Sequence, residues 1–294
     1  MRKETEIGIV GRMGEAAKKL EALKAYILEL GSVAIAFSGG VDSAFLLKTA
    51  HDVLKDRAAA ITATSPVFPG REAKEAKEFC QKEGIRQISY HAQQLASEAF
   101  CQNPPNRCYL CKKELFTQFL QIAREEGFLY VAEGSHVDDG TDYRPGMRAV
   151  AELGIESPLR RAGMTKADIR ALSREMGLPT WSKPSFACLA SRFVYGERIT
   201  KEKLSMVEQA ERLLSSCGFL QFRVRIHDRL ARIEVMPEDF SRLMEDGLRQ
   251  QVTARLKEYG FSYVALDLQG YRMGSMNETL EMAADNSFRR EENA

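Results

Sequence analysis

The sequence predicts an α/β protein: a doubly wound parallel sheet followed by a second, smaller α+β domain. Up to about residue 198, short apolar strand patterns alternate with amphipathic helical ones, the order that builds βαβ units. A Ser-Gly-Gly turn joins the first strand to a helix at 38–43, and the carboxyl ends of strands are where such sheets hold ligands. After about Ile199 the texture changes to two adjacent alternating strands flanked by helices. The expected division is 1–198 for the larger domain, 199–276 for a small substrate-binding or oligomerisation domain, and 277–294 for a disordered polar tail.

With 294 residues, 44% hydrophobic and 28% charged, the chain has the makeup of a globular protein with room for two domains. Its 42 basic and 41 acidic side chains leave a net +1, so no global basic field draws it to nucleic acid. No apolar run is long enough to span a bilayer, and Met1–Gly8 is charged rather than signal-like, which predicts a cytoplasmic protein with no membrane partner. The six cysteines are then expected to be thiols, with metal or catalytic roles ahead of disulfides.

Taken in order, Glu15–Leu30 carries Leu20, Leu23, Tyr26, Ile27 and Leu30 on one stripe and predicts a first helix. Val33–Phe37 is a buried-strand pattern, and the apolar spacing of 44–50 predicts the next helix. Ala58–Thr64 predicts a second strand whose end lies beside that of the first, where adenine and ribose would rest. Arg71–Gly84 reads as a helix closed by its glycine, and Gln87–His91 as a third strand. Pro104 and Pro105 forbid helix in 102–107, which delivers Cys108-Tyr109-Leu110-Cys111 onto the front of a helix at Lys112–Glu126. Phe128–Ala132 is a fourth strand, 133–146 a continuing loop, and 166–176 a helix stopped by Gly177. The segment 181–193 breaks the periodicity and holds the only tryptophan, Trp181, with Cys188 and Arg192; it reads as a functional loop. A helix at 201–217, strands at 222–227 and 230–235, helices at 238–246 and 248–259, and a strand at 263–268 complete the chain. These last three strands predict a small antiparallel sheet with helices on one face.

Ser38-Gly39-Gly40-Val41-Asp42-Ser43 is the sharpest chemical signal. A strand that enters a helix through Ser-Gly-Gly leaves the first N–H groups of the helix unpaired, at the positive end of its dipole. Without Cβ atoms at Gly39 and Gly40 a phosphate can approach closely, and Ser38 and Ser43 add hydroxyl donors. Asp42 cannot bind an anion directly, so its carboxylate points to a Mg²⁺ bridge or to helix capping. No Walker A pattern is present. The six residues resemble instead the SGGxDS loop of PP-loop ATP pyrophosphatases, which adenylate a carbonyl or carboxylate oxygen and release pyrophosphate. That resemblance implies the adenine nucleotide alpha hydrolase-like fold, with ATP held by Ser38, Gly39, Gly40, Asp42, Ser43 and Thr64. The alternative is a glycine-rich turn with no ligand.

Cys108-x-x-Cys111 is the second signal. Two thiols at this spacing on a helix start can grip one metal, and the helix dipole lowers their pKa. They suit a redox pair, half of a zinc site completed by Cys101 with Cys188 or by His136, or part of an iron–sulfur site. Cys80 and Cys217 read as small buried hydrophobes. Cys108, Cys111 and Cys188 together make three thiolates and leave one coordination position open, as a reacting site needs. On a [4Fe–4S] cluster the unliganded iron could carry an extra sulfide. Zinc, and independent roles for the three cysteines, stand as alternatives.

Further segments bring the resemblance closer. SGGVDS at 38–43, EGSHVDD at 133–139, YRPG at 143–146, SPL at 157–159, KPSFACLASRF at 183–193 and FRVRIHDRLARIEV at 222–235 resemble the LarE family, over roughly residues 15–275. Its members are ATP-dependent sulfur transferases that make the nickel-pincer nucleotide cofactor of lactate racemase-type enzymes. They convert pyridinium-3,5-biscarboxylic acid mononucleotide to its bis-thiocarboxylic acid form. One branch sacrifices the sulfur of a single KPSxAC cysteine; in the other, three cysteines hold an iron–sulfur cluster that supplies it. With Cys188 in KPSFAC and Cys108 and Cys111 upstream, the resemblance implies the cluster branch, with ATP, Mg²⁺ and [4Fe–4S] as cofactors, and a homo-oligomer. It leaves the immediate sulfur donor unnamed.

An anionic mononucleotide needs cations with bidentate reach. On 222–227, Phe222, Val224 and Ile226 fall on one strand face and Arg223, Arg225 and His227 on the other, while Arg192 closely follows Cys188. Arg192, Arg223 and Arg225 are expected to bind substrate, with Glu211 orienting them; the bland reading is a solvated strand face. Asp138 and Asp139 are either Mg²⁺ or ribose contacts or ordinary loop acids. Tyr109 and Trp181 either stack on a ring or pack. Three rival functions are weighed: tRNA thiolation expects a basic surface, an amide-forming synthetase an ammonia-generating partner, and a metal-stapled nucleotide-binding module uncleaved ATP.

Overall fold

The structure, a computed structural model, describes residues 2–141, 145–184, 187–272 and 274–275. Asp142, Tyr143, Arg144, Ser185, Phe186 and the expected tail from Asn277 lie outside the described residues. The chain runs α1 (Arg2–Leu30), β1 (Val33–Ala36), α2 (Val41–Leu54), β2 (Ala58–Thr64), α3 (Gly70–Glu83), β3 (Gln87–His91), α4 (Glu98–Cys101) and α5 (Arg107–Glu125). There follow β4 (Tyr130–Ala132), α6 (Pro145–Glu152), α7 (Pro158–Arg161), α8 (Lys166–Glu175), α9 (Lys201–Ser216), β5 (Phe222–His227) and β6 (Leu230–Val235). The last elements are α10 (Phe240–Leu243), α11 (Asp246–Glu258) and β7 (Tyr263–Leu266). No helix among the described residues is long and apolar enough to cross a membrane.

Two compact units result, Met1–Ala92 with Cys108–Phe186, and Gln93–Arg107 with Ala187–Ala294. The boundary read from the sequence at 198 falls inside the second. Backbone bonds account for that grouping, because Ile199 donates to the Cys101 carbonyl at 2.8 Å and Gly196 to that of Asn103 at 2.9 Å.

In the first unit, four parallel strands lie in the order β3-β2-β1-β4. Val33 of β1 stands opposite both Ala58 and Tyr130. Both faces of the central strand β1 are covered, which is why it reads as a continuous apolar run. Val33 and Ile35 join Leu23, Ile27, Phe45 and Leu46 in one core. Ala34, Ala59 and Ile61 join Phe116, Phe119 and Val150 in the other. The chain order reverses between β1 and β4, and a sheet of this kind opens its ligand crevice at such a point. Two expectations need correction here. Pro145 opens α6, at a position where its missing N–H is no loss, so 133–146 is not one continuous loop. And α5 starts at Arg107 rather than Lys112, because the prolines precede the helix without blocking it, so Cys108 lies in its first turn and Cys111 at the start of its second.

In the second unit, β5 and β6 pair antiparallel through a turn in which Asp228 adopts φ 52°, whereas β7 pairs parallel to β6. The antiparallel expectation fails for β7 because α10 and α11 carry the chain back to the end where β6 begins. Both faces of β5 are buried: α9 packs on it, as does the 3₁₀ turn Leu189–Arg192. Its arginine face is therefore interior, which removes the solvated-face reading.

Gly134, just after β4, marks how tightly the crevice is closed. A Cβ there would stand 3.1 Å from the Ser43 nitrogen and 3.3 Å from the Asp42 carbonyl carbon, both backbone atoms. Gly134→Ala is expected to lower stability by about 1–3 kcal/mol through overpacking. Gly14→Ala, on exposed helix with nothing nearby, should raise it by up to about 1 kcal/mol. Urea unfolding of the two variants checks the contrast.

Candidate active site

The turn after β1 brings Ser38, Gly39, Gly40, Asp42 and Ser43 together. Gly39 adopts φ 76°, where a side chain would be strained, and the turn sits against α3 so closely that a Cβ there would stand 3.4 Å from the Glu72 carbonyl oxygen. The hydroxyls of Ser38 and Ser43 lie 3.1 Å apart, and Ser43 donates to the Gly40 carbonyl at 3.3 Å. Gly40 is the N-cap of α2 and supplies no side-chain cap, so the first-turn N–H groups face the crevice without an acceptor from that residue. Thr64 closes β2 nearby in the sheet, its hydroxyl 3.4 Å from the Tyr90 carbonyl oxygen.

Around this turn stands a charged cluster that the sequence only partly disclosed. Both oxygens of Asp42 accept from Lys166 Nζ, at 2.8 and 2.6 Å. His136 Nε2 lies 4.0 Å from Asp42 and 3.6 Å from Asp139. Asp138 accepts the Lys166 backbone N–H at 2.7 Å, and Asp139 that of His136 at 2.9 Å. Each of these two acids thus has a loop-closing bond. Glu133 accepts from both the N–H and the hydroxyl of Ser135 and from the hydroxyl of Ser157. Lys183, from the KPSFAC segment, donates to the Gly39 carbonyl at 3.0 Å and pairs with Glu72 and Glu75. Sequence reasoning missed Lys166 and Lys183 as site residues. Lys166 follows an ordinary helix cap, Thr165, and carries no pattern of its own.

Cys108 and Cys111, at helical i, i+3 spacing, share a face of α5 and are half-buried. Cys188, also half-buried, lies in the second unit as N-cap of the Leu189–Arg192 turn. All six cysteines are free of disulfides. Burial pushes the Cys80 thiol up to about 12 and raises that of Cys101, which makes either a poor thiolate ligand. Cys217 is half-buried at the end of α9 rather than fully buried. Among the described residues, no three or more His, Cys, Asp or Glu side chains are gathered as a metal site. In kind, Cys108, Cys111 and Cys188 offer the soft thiol donors an iron–sulfur cluster takes, and Asp42 the single carboxylate that suffices for Mg²⁺ on phosphates. Tyr109 sits between the cations of Lys113 and Arg148, 5.2 and 5.1 Å from its ring centre. Trp181 is not packed in a core but exposed, under the guanidinium of Arg174.

The second unit gathers Arg192, Glu211, Arg223 and Arg225. Arg192 is fully buried and forks onto Glu211 at 2.8 and 2.9 Å. Burial alone would raise the Glu211 carboxyl, but the charge and hydrogen bonds of Arg192 hold it below its ordinary value. Arg225 forks onto buried Glu234, at 3.0 Å for both bonds. Arg223 donates to the Phe222 carbonyl and lies 5.1 Å from the centre of the Tyr271 ring. Burial, and then repulsion from Arg192, brings its guanidinium down to about 10.

No protein-family model matches the chain. It is 42% identical over 262 residues to an uncharacterised protein of Synechocystis, covering 89% of this chain and 98% of that one. To the pyridinium-3,5-bisthiocarboxylic acid mononucleotide synthase of Lactiplantibacillus plantarum it is 36% identical over 272 residues, 92% of this chain and 98% of the synthase. A stretch of 111 residues is 32% identical to a tRNA-specific 2-thiouridylase of Desulforamulus reducens, covering 31% and 30% of the two chains.

Glu211 is the counter-ion that makes Arg192 tolerable in the interior. Glu211→Gln should cost on the order of 3 kcal/mol at neutral pH, because the guanidinium stays buried with its charge unmatched. With its folded-state value depressed, the carboxylate stabilises fully above the ordinary Glu range and loses that contribution as pH falls through the lower value. The stability gap between the two proteins, read by urea unfolding, should therefore narrow on acidification.

Proposed function

The chain belongs to the LarE family of ATP-dependent sulfur transferases, that of the pyridinium-3,5-bisthiocarboxylic acid mononucleotide synthase, and on that premise we propose that it thiolates the carboxylates of pyridinium-3,5-biscarboxylic acid mononucleotide for nickel-pincer cofactor synthesis. The observation that carries the chemistry is the uncapped start of α2, entered through a glycine turn at the sheet's reversal point.

A carboxylate resists sulfur attack because oxide would have to leave. Its oxygen first attacks the α-phosphorus of ATP, and pyrophosphate departs into the donors of the Ser38–Ser43 turn. Those N–H groups and hydroxyls are already placed where negative charge accumulates, so they stabilise it without rearranging. Asp42 would hold Mg²⁺, whose charge would offset that of the phosphates, and Lys166, now paired with Asp42, is a further cation at the turn. An anionic sulfur next attacks the acyl-adenylate carbon, the carbon–oxygen bond to AMP breaks, and a thiocarboxylate remains. Cys108, Cys111 and Cys188 would hold the [4Fe–4S] cluster, which when bound would supply the sulfur.

The substrate's phosphate or carboxylate goes to the arginine group. Arg192 and Arg225 commit their forks to Glu211 and Glu234 and set the local field. Arg223 is buried on the same strand face as Arg225 and joins it in binding the anion. Arg192 and Glu211 act as positioning residues.

Asp42→Asn should slow ATP-dependent pyrophosphate release by about tenfold or more, since a charge-assisted contact to metal and phosphate is lost. Cys188→Ala should abolish sulfur transfer, while pyrophosphate release remains measurable. Anaerobic purification with iron and sulfide assays and an optical spectrum tests the ligand set. A coloured protein whose iron is lost in Cys188→Ala is expected, and a colourless zinc-loaded protein would overturn the cluster.

A further inference from the structure

Segment 187–194 is a connecting loop around the short Leu189–Arg192 turn, and loops of this kind ordinarily give their carbonyls to water. Here they go to buried side chains of the same unit. Arg192 Nη1 donates to the carbonyls of Ala187 at 2.9 Å and Cys188 at 3.2 Å. Arg225 Nη1 donates to that of Ser191 at 2.8 Å, and Arg107 Nη1 to that of Ala190 at 2.9 Å. Asn103 Nδ2 takes the carbonyls of Phe193 and Val194, at 3.4 and 2.6 Å. Arg107 and Asn103, only 3% and 0% exposed, also bond to each other through Arg107 Nη1 and Asn103 Oδ1. Asn103 reaches its carbonyls from a left-handed φ of 52°, which asparagine tolerates better than most residues.

Arg192 and Arg225 have their own reasons to be buried, in Glu211 and Glu234. Arg107 donates from one nitrogen, Nη1, to both Asn103 and the Ala190 carbonyl. Its planar guanidinium fixes the directions of both bonds at once; lysine offers a rotating point charge instead. Arg107 is also the first residue of α5, directly before Cys108.

We propose that Arg107 is a positioning residue for sulfur transfer: with Asn103 it holds the backbone of the Cys188 loop in one conformation. This rests on the reading that Cys188 serves sulfur transfer. The geometric demand is severe, because a misplacement of about 1 Å at a reacting group can cost about a hundredfold in rate.

The test uses the full chain under anaerobic conditions. Far-UV circular dichroism checks folding, iodoacetamide alkylation of Cys188 is followed by peptide mass, and sulfur transfer is assayed alongside. Arg107→Lys keeps the charge and removes the fork. Folded Arg107→Lys should alkylate at Cys188 about fivefold faster or more, as the loop opens locally, with Cys217 unchanged as internal reference. Its sulfur transfer should fall about a hundredfold. Wild-type alkylation at Cys188 overturns the proposal, and so does faster alkylation with undiminished transfer. If Arg107→Lys does not fold, Asn103→Gly answers instead: it keeps the left-handed turn but loses the side-chain bonds, and wild-type behaviour there overturns the proposal equally. Full transfer by Cys188→Ala would instead overturn the functional reading beneath it.

Discussion

A backbone N–H or carbonyl taken out of water must find a partner, and this chain is shaped by where it meets that demand and where it withholds it. At the start of α2 the N-cap glycine has no side chain to offer. In the loop around Cys188 the opposite holds, since buried arginine and asparagine side chains take one carbonyl after another. Donors left without acceptors attract an anion; carbonyls held by fixed donors keep a loop in one conformation. The same rule thus makes a receptive surface in one unit and a rigid segment in the other.

Charge follows from these choices. The glycine turn concentrates positive potential, and the side chains beside it are arranged accordingly: Asp42 is held by Lys166, and Lys183 is held between the Gly39 carbonyl and two α3 carboxylates. In the second unit Arg192 and Arg225 fork onto the buried carboxylates Glu211 and Glu234. Burial, and then repulsion from Arg192, is why Arg223 holds its proton less firmly than a solvated arginine. Burying such a group is unfavourable for stability alone.

Several features were open to inspection in the residues themselves. Strand and helix periods marked β1, β2, β3, α3 and α9 closely, because buried elements must repeat their apolar residues at 2 or 3.6 positions. Ser38–Ser43 was legible as a phosphate cradle, since its chemistry lies in backbone donors that adjacent residues provide. The start of α5 was not, because a proline restricts only its own turn and the residue before it, and the helix begins at Arg107, just past the prolines. The direction of β7 depended on where two intervening helices returned the chain, which no local pattern encodes.

What the sequence determined by itself, then, is the set of local devices: the glycine turn, the cysteine pair on a helix start, and the arginines alternating along β5. Only the tertiary structure decided that the arginine face would be interior, that Lys166 would meet Asp42 and Lys183 the Gly39 carbonyl, and that Arg107 would hold a loop carbonyl. Each of those pairings joins residues far apart in the chain, and their partners are chosen by packing and by the need to satisfy buried polar groups. Spacing along the chain carries no record of that choice.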